Sequence, residues 1–393
     1  MKPLSIGIIG GGPAGFFAAC AIAPHHTVNI LEKKEKVMGK LLLTGGGRCN
    51  LTNATFDLKK LTSFFPRGGK ELLGPFHRFG PKETLEWFAK EGVSLKEEEN
   101  GRVFPSSNKA ETIYTCLLHK AKELNITIQT NTNVKKIEKK GKAFVLLFEG
   151  GEQLSFDALI VATCNDPHIF SSLQSLGHTV EKPLPSLFTF ACSSPLNGLS
   201  GCAIPDVEGS ICGIKKRGDL LLTHFGFSGP LTLSLSSFAA KKLNEQNYQA
   251  ELTLKWLPDY SSHAIDEALF ALRKREPEKH LSKHSPFPLP KKLWQALFPS
   301  DKTYRHLSNK EIRLMGERLQ RDRYYIKGKA PCKEEFVTCG GIALNEVNFQ
   351  TMESKLIKNL FFAGEVLNID GVTGGFNLQN CWTTGFIAGS SFL

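Results

Sequence analysis

The chain has 393 residues, 41% of them hydrophobic and 22% charged, the profile of an ordinary globular protein large enough for two or three domains with real cores. No apolar run is long enough to span a bilayer. The apolar stretch Leu4–Ile9 is too short for a secretory signal and runs into glycines rather than a small-residue cleavage site. Ten cysteines occur without a C-x-x-C pair, and Cys332 and Cys339 are not spaced like a redox couple. Free thiols in a reducing compartment, the cytoplasm, and no metal site are therefore expected. The formal net charge is +11, and residues 263–329 hold 16 Lys plus Arg against 8 Asp plus Glu. Such a surplus is either a solvated basic face or a surface for a polyanion, of which RNA is the first candidate.

In chain order, the apolar run Ser5–Ile9 predicts a strand that ends in Gly10-Gly11-Gly12-Pro13-Ala14-Gly15, followed by an Ala- and Phe-rich helix through about Ala23. A second strand, Thr27–Leu31, ends at Glu32 and completes a β-α-β unit. Glycines dominate 39–50, which predicts a loop or a strained helix start. Amphipathic helices are expected over Lys82–Glu91 and Lys109–Leu124, the latter capped by Ser107 or Asn108. Strands are expected over Val134–Ile137, Ala143–Phe148 and Phe156–Thr163, with Asp157 at the entrance of the last. Short β-like stretches separated by Gly, Pro and Ser run from about Pro183 to Pro258. A basic, helix-rich region follows to Lys329, and Phe336–Gly341 marks the return to the opening domain. The last segment brings a buried strand, Leu360–Ala363, then Gly364-Glu365, a glycine-rich loop and a final helix from about Asn377. The expected fold is α/β, with residues 1–185 and 336–393 folding together around insertions at 186–260 (β-rich) and 261–335 (basic and helical).

The pattern Gly10-x-Gly12-x-x-Gly15 stands after a strand and opens a helix. Gly10 permits the tight turn, Gly12 admits a diphosphate to the backbone, and Gly15 lets helix and sheet pack closely. The diphosphate then lies on the free N–H groups at the helix start. Glu32, 22 residues after Gly10, is placed to accept from ribose hydroxyls, and an acid there disfavours NADP. The C-terminal segment separates FAD from NAD. Leu360–Glu365 and Gly371-Val372-Thr373-Gly374-Gly375-Phe376-Asn377 form a second strand–glycine–helix site, which a simple NAD enzyme does not need. There the helix start faces the pyrimidine end of a flavin, where negative charge develops on reduction. No second complete Gly-x-Gly-x-x-Gly occurs, so a separate NAD(P)H domain is not expected.

The segment from Gly39 to Asn53 is the third constellation. Arg48 is expected to neutralise phosphate or reduced flavin. Cys49 is either a partly exposed thiol with a lowered pKa, able to protonate a substrate carbon, or a small buried packing residue. Thr223–Pro230 reads as a turn presenting His224, which is either a catalytic candidate or a structural histidine.

Gly39–Asn53, together with Arg102–Pro105, Lys109–Glu111, Thr223–Pro230, Thr351–Lys355, Phe362–Glu365 and Asp370–Gln379, resembles the bacterial NAD(P)/FAD-dependent oxidoreductases labelled the aminoacetone oxidase family. That family includes bile-acid enone reductases and ribosomal-RNA dihydrouridine synthases. The resemblance implies a two-dinucleotide-binding-domain flavoprotein with a Rossmann-like FAD domain and an inserted β-rich and helical substrate region. It also implies reduction of an activated C=C bond. Two positions depart from the pattern: Cys164-Asn165 stand where Gly-Gly is usual, and Cys339 where alanine is common.

The residues expected at FAD are Gly10, Gly11, Gly12, Pro13, Ala14, Gly15, Glu32 and Lys33 from the first unit. Lys40, Leu41, Gly46, Gly47, Arg48 and Asn50 are expected from the glycine loop, and Val134, Ala162 and Thr163 from the middle segment. Gly364, Glu365, Gly371, Gly374, Gly375, Phe376, Asn377 and Leu378 complete the set. NAD(P)H is the expected electron donor. Within the resemblance, the basic 263–329 region favours ribosomal RNA as partner and uridine as substrate, with Cys49 as proton donor. The competing expectations are a small-molecule enone reductase or amine oxidase, and an RNA-binding protein with a structural flavin.

Overall fold

The computed structural model describes residues 2–22, 24–331 and 337–393. The expected positions Ala23, Cys332 and Phe336 lie outside them. The chain divides into two compact units: Met1–Pro183 with Thr338–Leu393, and Leu184–Val337.

The first unit is built on five parallel strands in the order Leu360–Phe362, Ala158–Val161, Ser5–Ile9, Thr27–Leu31 and Thr127–Gln129. Two short strands, Glu353–Ser354 and Val347–Asn348, extend the sheet antiparallel at the Leu360 edge. The central strands are buried on both sides, so they read as unbroken apolar runs, as a covered parallel sheet requires. Asp157 interrupts the strand expected over Phe156–Thr163. It separates Gln153–Phe156 from Ala158–Val161, and its carboxylate accepts from Ser5 N (2.9 Å).

The first helix is Pro13–Ala21 and the last is Phe376–Ser390. Small residues let them touch backbone to backbone. A Cβ on Gly385 would lie 2.6 Å from Ala14 O, and one on Gly389 2.1 Å from Ala18 O. Around this pair, Thr52, Thr84 and Thr383 all hydrogen-bond to the Gln379 amide, and Trp382 Nε1 donates to Leu51 O (2.9 Å). These buried polar groups are satisfied only in one register of the final helix.

The amphipathic helices lie at Pro81–Lys90 and Ala110–Glu123. The second is not side-chain capped by Ser107 or Asn108. Its N-cap is Lys109, because Asn108 adopts a left-handed turn (φ +55°) that takes it out of capping position.

The second unit holds one antiparallel sheet in the order Asp322–Ile326, Ala250–Lys255, Ala203–Ile211, Ile214–Thr223, Gly226–Ser228, Phe190–Ala191 and Gly328–Lys329. The stretches 186–260 and 261–335, expected as separate regions, therefore form a single unit. After the basic helices the chain returns to pair Asp322–Ile326 with Ala250–Lys255. Ile265 and Leu269 of the helix Ser262–Arg275 share one core with Leu252, Leu254 and Leu231, as do Ile312 and Leu319 of the helix Asn309–Gln320. Among the described residues no helix is long and apolar enough to cross a membrane, and no cluster of three metal-ligating side chains occurs.

Candidate functional site

The C-terminal ends of the parallel strands converge on one place, where open α/β sheets bind their ligands. Gly10 follows the first strand with φ +111°. Its N–H donates to Leu31 O (2.9 Å), and a Cβ there would lie 2.5 Å from Ala162 O. A Cβ on Gly15 would strike Gly10 O at 2.1 Å. Gly12, the N-cap of the first helix, is different. It offers no side-chain cap, and a Cβ on it would meet nothing within 4 Å. The helix start therefore opens onto free space with its first-turn donors uncapped, and Pro13 at N1 wastes no N–H.

Glu32 is half-buried and fixed by the backbone. Its Oε2 accepts from Gly11 N (2.9 Å) and its Oε1 from Lys34 N (2.9 Å), which leaves lone pairs on both oxygens. Thr132 N donates to Glu32 O, so the segment leading to Val134 passes beside this acid. Lys33 turns away and pairs with Asp166 (2.6 Å), the N-cap of the helix Pro167–Ser175.

The two glycine-rich segments meet. Asn53 Nδ2 donates to Gly374 O (3.1 Å). Asn50, with its amide turned to satisfy both ends, donates to Thr52 O (3.2 Å) and accepts from Gly375 N (3.1 Å). Gly364, with φ +74°, faces Ala14 of the first helix, and a Cβ on it would lie 2.7 Å from Ala14 Cβ. Lys40 Nζ pairs with Glu365 Oε2 (3.5 Å). Cys164, at the departure from the family pattern, stands close to both of these side chains. Burial, and then the Glu365 carboxylate, raise its thiol well above the ordinary range. Burial would lower Lys40, but Glu365 and Cys164 outweigh it and hold the ammonium raised. Thr163 Oγ1, beside the Gly10 turn, is buried without a hydrogen-bond partner. Leu41 and Ala162 are buried in the walls, Leu378 is half-buried on the final helix, and Gly46 and Gly47 take left-handed conformations in the loop.

Four expectations change. Cys49 is fully buried, and burial pushes its thiol up to about 12. Its left-handed backbone (φ +59°) belongs to a tight turn in which Cys49 N donates to Thr44 O (3.0 Å). Of the two readings of Cys49, the structure has the small buried packing residue and not the partly exposed, activated thiol beside a cation. Arg48 is held by Glu98 (2.9 Å) and lies over the Phe104 ring (4.1 Å), so a carboxylate already neutralises it. Asn377 closes the glycine loop on itself: it accepts from Gly371 N and donates to Gly371 O, both at 2.8 Å, which commits both ends of its amide. Phe376 is buried and stacked on Phe64 (centroids 4.4 Å apart), a packing residue.

His224 belongs to the second unit. It is exposed on the turn between Ile214–Thr223 and Gly226–Ser228 and shares a hydrogen bond with Ser200 Oγ (2.9 Å). One feature the motifs did not announce is the buried pair of Arg67 with Asp370, immediately before the glycine loop.

These residues fit a dinucleotide. An uncapped helix start at a side-chain-free Gly12 suits a diphosphate, and a pre-oriented Glu32 suits ribose hydroxyls. A second glycine turn, at Gly371–Gly375, is joined to the loop that follows the second strand, through Asn50 and Asn53.

The family described as HI0933-like protein Rossmann domain matches residues 4–391. The chain is 28% identical over 415 residues to a 3-dehydro-bile acid delta(4,6)-reductase of Clostridium scindens, covering 98% of each chain. It is 27% identical over 396 residues to a ribosomal RNA dihydrouridine synthase of Escherichia coli, covering 96% of this chain and 95% of that one. In fold it is similar to a 3-ketosteroid-delta4-(5alpha)-dehydrogenase of Rhodococcus jostii (TM-score 0.50, 13% identity, 98% and 97% covered). The chain belongs to the HI0933-like Rossmann family and is an oxidoreductase of the flavin-dependent kind.

Proposed function

We propose that this protein is an FAD-dependent, NAD(P)H-using reductase of activated C=C bonds, and that its substrate is a uridine of 23S ribosomal RNA. The observation that carries the flavin reading is the meeting of the two glycine segments, Asn50 and Asn53 with Gly374 and Gly375, in the same unit as the open helix start at Gly12. When bound, FAD supplies a hydride to the electron-poor carbon of an enone-like double bond, such as uracil C6. Gly10–Gly15 and the first helix would hold the diphosphate, Glu32 the adenosine ribose, and Gly364, Glu365 and Gly371–Gly375 the flavin half. Lys40 keeps Glu365 oriented through their ion pair. Cys49 is enclosed and stays a neutral thiol, so the proton that completes the reduction comes from another group or from water.

RNA as the partner is supported by the basic part of the second unit. Lys274, Lys283, Lys291, Lys292, Lys310 and Arg313 make no ion pair among the described residues, whereas other cations of the region, such as Lys302 with Glu311, are neutralised by acids. Uncompensated surface cations are what phosphate contacts need. The test is mass mapping of 23S rRNA from a strain lacking the protein. Loss of the two-hydrogen mass increment at one uridine supports the reading, and an unchanged map refutes it.

A second reading, reduction of a steroid-like enone, is favoured by the similarity to the bile-acid reductase. It predicts rapid NAD(P)H oxidation with a conjugated steroid ketone and no salt-sensitive RNA affinity.

A further inference from the structure

Within the second unit, one end of the sheet gathers groups that the cofactor chemistry does not use. Phe225 is 46% exposed at the tip of the turn between Ile214–Thr223 and Gly226–Ser228, with the exposed His224 ring 5.1 Å away. Single exposed rings are ordinary surface, but the backbone of this tip is tied by hydrogen bonds. Thr223 Oγ1 donates to Gly226 O (3.0 Å) and accepts from Gly226 N (3.2 Å). Cys192 N donates to Phe225 O (2.8 Å). Gly226 has φ +140°, and a Cβ on it would lie 2.4 Å from Phe190 O, so a side chain does not fit there.

Polar groups lie on the turn and on the strands that pair beside it. Ser200 Oγ meets His224 Nδ1 (2.9 Å). The next residue after Cys192, exposed Ser193, accepts from Lys327 Nζ (3.1 Å), and Lys327 N donates to Ala191 O (2.8 Å). Lys327 has no carboxylate partner among the described residues. An exposed aromatic ring on a hydrogen-bonded turn, two hydroxyls with an imidazole, and an ammonium without a carboxylate partner therefore share one end of a sheet.

We propose that this cluster is a nucleotide-recognition site for single-stranded RNA: Phe225 stacks on a base, Ser200 and His224 read its polar edge, and Lys327 contacts a phosphate. The inference rests on the RNA reading of the function and deepens it. Stacking on an aromatic face tolerates any base, and unstacked bases are what proteins read in RNA.

The experiment measures binding of a fluorescent, uridine-containing single-stranded RNA to the full-length, flavin-loaded protein over a range of salt. Phe225→Ala weakens binding by about tenfold, within the range that loss of one base–aromatic stack gives, and Phe225→Trp restores it. Lys327→Ala flattens the dependence of log affinity on log salt by about 0.7, the loss of one phosphate contact. Flavin content, read by absorbance, stays that of the wild type in all three. Wild-type affinity in Phe225→Ala, or an unchanged slope in Lys327→Ala, overturns the proposal while the RNA reading stands. If the wild type binds no RNA yet reduces a steroid enone, both fall.

Discussion

Gly375 lies directly against Thr52: a Cβ at 375 would be 2.4 Å from Thr52 O and 2.5 Å from its carbonyl carbon, with Gly375 itself at φ +96°. The contact joins the loop after the second strand to the start of the final helix, and both sides of it are backbone, so neither can swing away. Gly375→Ala is expected to destabilise the protein by about 2–4 kcal/mol, the left-handed penalty plus overpacking. Gly46→Ala, at φ +67° with open space around it, pays only the conformational part, about 1–2 kcal/mol. Denaturant unfolding of both variants checks this, and equal losses would show that the Gly375–Thr52 approach is not a constraint.

Arg67 and Asp370 form a bidentate pair, with Asp370 fully buried. Replacing Arg67 with Met leaves the carboxylate to be accommodated without its guanidinium partner. A loss of about 3–5 kcal/mol is expected, as for other broken buried pairs. Asp370→Asn with Arg67 intact also loses stability. A melting temperature unchanged in both variants would contradict the assignment of this pair as the anchor of the glycine loop.

Cys49 is expected to resist alkylation in the native protein and to react only after unfolding, because its thiol is enclosed and held neutral. Cys49→Ala should keep its flavin and its single-turnover rate. Rapid labelling of native Cys49, followed by peptide mapping, would restore it as a mechanistic candidate.

His26 ties the two chain ends together. Its Nδ1 accepts from Leu4 N (3.0 Å), so its Nε2 carries the proton and donates to Phe392 O (3.0 Å). The neutral ring is required, and burial, with His25 next, lowers its pKa from the ordinary histidine value. The unfolded chain therefore binds this proton at higher pH than the folded one. The contribution is complete above the unfolded pKa of about 6.5 and fades as pH falls below it toward the folded value. Melting temperature should drop between about pH 7 and 5, and more steeply than in His26→Leu. That variant starts lower by about 1–3 kcal/mol, from two backbone groups left unpaired. Parallel pH profiles for the two proteins would refute this role.

Much of the cofactor unit was legible because its signals are local. Ser5–Ile9, the glycine turn, the first helix, Thr27–Leu31 and Glu32 follow one another within a few residues, and the terminal strand, Gly364 and final helix repeat the pattern. What was not legible depends on contacts between distant segments. Nothing near Cys49 announces that its left-handed turn buries the thiol, and nothing near Arg48 names Glu98 as its partner. Asn377 looks like a ligand-facing polar residue until the loop it closes is visible. The inserted unit was divided in two because the basic helices separate Ala250–Lys255 from Asp322–Ile326. Their pairing spans that whole stretch, and no periodicity records it.

The most direct measurement of the central claim is the cofactor content of the purified protein, set beside that of two single variants. The account predicts a yellow protein that releases one FAD per chain on denaturation. Gly12→Glu should be folded but colourless, since the new side chain has room yet places a carboxylate where the diphosphate lies. Glu32→Ala should lose most of its FAD. A wild type that neither carries nor takes up FAD, or a Gly12→Glu protein that stays fully yellow, would contradict it.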